Sequence, residues 1–127
     1  MKVLALDYGS ARTGVAVSDP TGTVARPLCV VERAATEAGL ARLRELVRDE
    51  QAERVVVGLP LTLRGSHGEQ AVETERFVEG LCAAIEVPVE TFDERFTTTL
   101  AGPGAGEDAR AAAHLLSSYL EWSSRRS

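Results

Sequence analysis

What this sequence lacks narrows its class before any motif is considered. No apolar stretch approaches the roughly 20 residues that a membrane span needs. Lys2 supplies one positive charge near the start, but Asp7 interrupts the apolar run almost at once, so a secretory leader is not expected. There are only two cysteines, Cys29 and Cys82, and neither has a second Cys or a His at zinc-ligand spacing. Both sit among apolar neighbours, in PLCVV and GLCAAI, so both are expected to be buried, reduced thiols of a cytoplasmic protein. Positive charge is also short, with 14 Lys and Arg against 19 Asp and Glu and a net charge of −5. Non-specific binding to nucleic acid runs on Lys and Arg neutralising phosphates, so this balance argues against a general nucleic-acid coat protein. It leaves room for an enzyme whose acidic site is filled by divalent cations. Aromatic residues are 5% of the chain, which limits the surfaces available for stacking.

What is present reads as one domain over residues 1–127. Hydrophobic residues make up 44% of it, enough to bury a core. Residues 3–6 are a short apolar run that stops at Asp7-Tyr8-Gly9, and 14–18 (GVAVS) form a second strand across a short turn. A third strand is expected over 24–31, with Pro27 pushing it to an edge. Over 36–50, Leu40, Leu43, Leu46 and Val47 recur at helical spacing. The β-branched run 55–57 suits a strand covered on both faces. Ser66 and Glu69 have capping-box spacing and open a helix carrying Val78, Leu81, Cys82 and Ile85. Residues 87–92 read as a fifth strand, 97–106 as a loop, and 108–121 as a last helix before a polar, frayed tail. Three antiparallel strands followed by strands joined through helices predict a mixed, five-stranded α/β sheet with helices on its faces.

In such sheets, sites form beyond the carboxyl ends of the strands. Asp7 ends the first strand and Glu94 follows the fifth, so both belong to one rim. Asp108 precedes Ala111, Ala112 and Leu115 at helical spacing, which aims it along the face that packs on the sheet. Each acid alone has an ordinary explanation. Asp7 suits a turn, Glu94 suits a surface pair with Arg95, and Asp108 suits a helix N-terminus. Three carboxylates on one rim suggest more, because Mg²⁺ and Mn²⁺ are hard cations that prefer carboxylate oxygens and serve phosphoryl transfer.

Four stretches, in order along nearly the whole chain, resemble one family. They are Leu4-Ala5-Leu6-Asp7-Tyr8-Gly9-Ser10 with Gly14-Val15-Ala16-Val17-Ser18-Asp19; Val56-Val57-Gly58-Leu59-Pro60-Leu61 with Gly65 and Gln70-Ala71; Phe92-Asp93-Glu94-Arg95-Phe96-Thr97-Thr98; and Asp108 with Ala111-Ala112 and Leu115-Leu116-Ser117-Ser118-Tyr119-Leu120. They are similar to the YqgF-type proteins, RuvC-like Holliday-junction resolvases also described as pre-16S rRNA nucleases. The resemblance implies an RNase H-like fold and Mg²⁺- or Mn²⁺-dependent cleavage of phosphodiesters, with Asp7, Glu94 and Asp108 as catalytic, metal-binding acids. RuvC itself has an acid at the end of the fourth strand. Here that place reads Gly58-Leu59-Pro60, so Glu94 supplies the second carboxylate.

One departure from the family is the stretch 100–106 (LAGPGAG), which is short and holds no Lys or Arg. Positive charge for a nucleic-acid partner would then come from Arg12, Arg64 and Arg95, all in loops at the same rim. His67 reads as an exposed loop residue and His114 as structural, while Trp122 suits either a packing plug or a dimer contact. A monomer or weak homodimer is expected. Tyr8, Phe96 and Trp122 are the candidates for stacking on bases, and together with the unbasic loop they favour single-stranded or flexible RNA over a DNA junction. Two other classes remain open. Asp7-Tyr8-Gly9-Ser10 is also similar to the first phosphate loop of actin-like ATPases, although those close two domains around a nucleotide. A non-catalytic binder of ribosomal or recombination factors is the third reading, against which the intact acid set argues.

Overall fold

The structure is a computed structural model and describes residues 1–61, 68–96 and 109–126. Strands β1 (Val3–Asp7), β2 (Arg12–Ser18) and β3 (Ala25–Glu32) come first, followed by helix α1 (Glu37–Asp49) and β4 (Arg54–Leu59). Helix α2 (Glu69–Ala84), β5 (Val89–Asp93), a single 3-10 turn (Glu94–Phe96) and helix α3 (Ala109–Arg126) complete the order. The five strands make one sheet in the order β3-β2-β1-β4-β5. β1 pairs antiparallel with β2, and β2 with β3, because short links allow only hairpins. β4 lies parallel to both β1 and β5, because helical crossovers bring the chain back to the same starting edge. This is the mixed sheet expected from the order of elements.

Alternation along the strands divides the interior into two cores. Leu4, Leu6, Val15, Val17, Val55 and Val57 meet Leu43, Leu46, Phe77 and Leu81 of α1 and α2. On the other face, Val3, Ala5, Ala16, Val56 and Phe92 meet Ala112, Leu115, Leu116 and Tyr119 of α3. The unalternating valines of β4 are all buried because each face of that strand is covered. Pro27 does lie in an outer strand, where the register with β2 slips: Val15 opposes Cys29 and Ala16 opposes Pro27. Thr36 caps α1, its hydroxyl accepting from Gly39 N at 3.2 Å.

Several local expectations are corrected. α2 starts at Glu69 with Gly68 at its cap and no side-chain capping bond, while Ser66 lies outside the described residues. Its buried face runs through Ala71, Thr74, Phe77 and Leu81, with Ile85 buried and Val78 packed beside them, so of the expected stripe only Cys82 falls outside. Phe77 fixes that rotation by stacking on Tyr8, and Cys82 then sits about 100° around the helix from Leu81. Cys82 is therefore exposed, and only Cys29 keeps a partly buried thiol, which burial pushes above its ordinary pKa. His114 is exposed, on the side of α3 away from Leu115 and Leu116. The tail does not fray at Ser123 but continues as helix to Arg126. Trp122 holds it down by packing on Phe92 at 5.5 Å, and Arg125 pairs with Glu121 at 2.7 Å. Among the described residues no helix is long and apolar enough to cross a membrane.

Candidate active site

At the carboxyl end of β1, alternation sends Asp7 to the α3 side, with Val3 and Ala5. Tyr8 goes to the opposite side and stacks on Phe77, ring centroids 4.4 Å apart and planes 15° from parallel. The chain then turns tightly into β2. A Cβ on Gly9 would lie 2.5 Å from the Arg12 carbonyl oxygen, so only glycine permits this approach. The buried Thr13 hydroxyl donates back to the Gly9 carbonyl at 3.4 Å and pins the turn.

Glu94 arrives from the other direction. β5 runs beside β4 with Gly58 opposite Phe92 and Leu59 opposite Asp93, so the next residue leaves the sheet at its rim. Asp93 shapes the 3-10 turn there. Its carboxylate accepts from Arg95 N at 2.9 Å and from the Arg95 guanidinium at 2.9 Å (Nε) and 2.6 Å (Nη2). The guanidinium holds the Asp93 carboxyl below its ordinary range. Arg95 thus pairs with Asp93, and the ordinary surface pair expected between Arg95 and Glu94 gives way to it.

The Glu94 side chain crosses over Gly58. A Cβ at Gly58 would lie 2.7 Å from Glu94 Oε1 and 3.0 Å from Leu115 Cδ2. Pairing of Leu6 with Val57 puts Gly58 next to Asp7 on the parallel ladder, so the bare glycine opens the space in which the two acids meet. The Glu94 carboxyl is hydrogen-bonded to that of Asp7. Burial raises the Glu94 pKa; the bond to Asp7 opposes that rise and the nearby Asp93 charge adds to it.

These acids form one wall of a cleft of about 320 Å³, with Pro60 and, from α2, Gln70, Glu73 and Thr74 around it. The first turn of α2 thereby faces the cleft, and a helix N-terminus favours anions without any Lys or Arg. Arg12 is exposed at the start of β2 and does not line the cleft. Asp108, Arg64 and His67 lie outside the described residues, and among the described ones no three His, Cys, Asp or Glu cluster closely enough to hold a metal ion. Trp122, half-buried, packs with Phe92 and Tyr119, in the manner of a packing plug. Sequence reasoning missed Gly58, Asp93 and Glu73 as parts of the site. Only Gly58 carried a signal, the lack of a side chain where RuvC has an acid.

Comparisons with known proteins bear on the family and the fold. The family model described as RuvX: Holliday junction resolvase matches residues 1–122. Three similar proteins carry the name "Putative pre-16S rRNA nuclease". The one from Chloroflexus aggregans is 46% identical over 78% of this chain and 70% of its own. That from Moorella thermoacetica is 40% identical over 95% of each chain. That from Syntrophomonas wolfei is 35% identical over 95% of this chain and 94% of its own. Among solved structures, T. thermophilus RuvC in complex with Holliday junction substrate superposes with a TM-score of 0.66 at 18% identity, covering 98% of this chain and 96% of that one. The fold is therefore RNase H-like. With the family model matched over residues 1–122, this chain belongs to the RuvX (YqgF) Holliday junction resolvase family.

Proposed function

We propose that this chain is a divalent-cation-dependent nuclease that cuts single-stranded or flexible RNA, as in maturation of the pre-16S rRNA 5′ end. The observation that carries the proposal is the half-buried Asp7–Glu94 carboxyl pair at the rim of the sheet. Two adjacent carboxyls, one of them pushed toward its neutral form by burial, are costly to ionise together without a positive charge between them. Their oxygen donors fit a hard cation such as Mg²⁺ or Mn²⁺. Asp7 and Glu94 would hold it, with Asp108 as the third acid. When bound, the cation supplies charge that steadies the scissile phosphate and acidifies the attacking water. The charged forms of both Asp7 and Glu94 would be favoured beside a cation held there, and the N-terminal turn of α2 favours an anionic phosphate. Arg12, Arg64 and Arg95 are assigned to the flanking backbone phosphates.

The family description and the Holliday junction bound by the RuvC relative favour a second reading, cleavage of branched DNA. Symmetric resolution needs two sites and hence a dimer with a matching face. The large exposed apolar side chains among the described residues are few, Met1, Val24, Val30 and Val72, which gives a matching face little apolar surface. The test is a side-by-side assay of the pure protein with Mn²⁺ on an RNA precursor, a linear single-stranded DNA and a four-way junction. RNA cutting that EDTA abolishes is the expected result. Paired symmetric nicks in the junction with the RNA intact would overturn the RNA preference.

A further inference from the structure

Tyr8 separates two hollows. On its far side from the acids lies one of about 360 Å³, within the roughly 300–1,000 Å³ typical of small-molecule sites. Its floor is the Tyr8 ring stacked on Phe77, and its apolar walls are Leu40 of α1 and Gly80 of α2. Polar groups stand at its edge: the Ser10 hydroxyl, the Glu73 carboxylate and the Arg76 guanidinium. Tyr8, Ser10 and Glu73 line this hollow and the acid cleft alike, so the two are continuous around the end of β1.

We propose that this hollow is a nucleobase subsite, which takes the base of an unpaired nucleotide adjacent to the scissile phosphate. The inference rests on the nuclease reading and deepens it. A flat apolar floor with an aromatic ring suits the face of a base. A carboxylate acceptor and a guanidinium donor at the edge suit the amino groups and the ring or carbonyl acceptors of its rim. A strand with one phosphate at Asp7 and Glu94 has to pass Tyr8, and a base turned inward there enters the hollow. A base held in a duplex cannot make that turn, so the subsite selects single-stranded substrate with little help from Lys or Arg.

The test uses single-stranded RNA oligonucleotides carrying 2-aminopurine at successive positions, bound to the intact protein with Ca²⁺ replacing Mn²⁺. Fluorescence quenching confined to one position is expected, and an abasic nucleotide there weakens binding about 10-fold, within the range for loss of one stacked base. Gly80→Leu fills the hollow: a Cβ at Gly80 meets Leu40 Cδ1 at an ordinary 3.7 Å, and the remaining side-chain atoms are directed at the space the base would take. Arg76→Glu reverses the exposed charge at the edge and serves as a second variant. Both should lose the quenching and the abasic penalty while keeping the melting temperature. Quenching that persists in both variants, quenching at no position, or failure to bind single-stranded RNA would overturn the subsite. Position-specific quenching without any cleavage in Mn²⁺ would uphold the subsite and sink the nuclease reading; cleavage indifferent to abasic positions would do the reverse.

Discussion

Gly58 decides where Glu94 can go. Any side chain at that position would occupy the space of the Glu94 carboxyl, 2.7 Å from the Cβ. Gly58→Ala should part the two acids, because Glu94 can swing outward, while Leu115, 3.0 Å from the Cβ, has to give by a few tenths of an ångström. Cleavage is then expected to fall about 10- to 100-fold, the range seen when the support of a metal ligand is lost. Unchanged rates with an unchanged melting temperature would show that Glu94 need not reach Asp7. Taken singly, Asp7 and Glu94 each had an ordinary reading in the sequence, and only their common place at one rim with Asp108 singled them out. Gly58 was legible only as a missing side chain, because a glycine says nothing about which residue lies over it. The ordinary alternative for Glu94, a surface pair with Arg95, loses to Asp93 because the 3-10 turn folds the guanidinium back onto the residue two positions earlier.

At the scale of elements, α3 is tied to the sheet by more than apolar packing. Arg54 Nη1 donates to Tyr119 Oη at 3.0 Å and to Glu90 Oε1 at 3.3 Å, and Tyr119 Oη donates to Glu90 Oε1 at 2.9 Å. This triangle joins β4, β5 and α3, the three elements that meet around Gly58. Tyr119→Phe keeps the ring packed on Phe92 and removes the hydroxyl, so a loss of about 1 kcal/mol in urea unfolding is expected. A change within error would mean that solvent serves Arg54 and Glu90 as well as the hydroxyl does. Phe77→Ala should cost more, about 3–5 kcal/mol, since it leaves a cavity under Tyr8. The mixed topology was readable because helices between strands impose parallel pairing, and Pro27 marked the edge strand. The face of α2 was readable only in part: Leu81, Ile85 and Val78 do pack in the core, whereas Cys82 shares their period but is exposed and Ala71, Thr74 and Phe77 were missed. The stack of Phe77 on Tyr8, 69 residues apart by their numbers, settles the rotation, and local periodicity cannot see it.

For the whole molecule, the acid pair couples stability to pH and to cations. The Glu94 pKa is raised in the fold, so folding favours its protonated form. That contribution is fully present below the ordinary Glu value of about 4.3 and is lost as pH rises through the raised value. Asp93 works in the opposite sense: its lowered pKa stabilises above the ordinary Asp value and fades as pH falls through the lowered one. Between the two windows the cation-free protein should be most stable, and its melting temperature should decline from there toward neutrality. Mn²⁺ should reverse the decline at neutral pH, by about 2.7 kcal/mol at 100 times its dissociation constant. A melting temperature indifferent to millimolar Mn²⁺ would speak against a formed site.

The central claim is that Asp7 and Glu94 together make the centre that cuts. It is tested most directly by the rate at which one preparation of the protein cleaves a labelled single-stranded RNA in Mn²⁺, compared with Asp7→Asn and Glu94→Gln proteins of matched melting behaviour. Each variant keeps the shape of its side chain and removes one charge. The account expects both to lose at least about 100-fold in rate, beyond the loss typical of residues that only support a metal ligand, and expects EDTA to silence the wild type. Cleavage by the Asp7→Asn protein at close to the wild-type rate would contradict it.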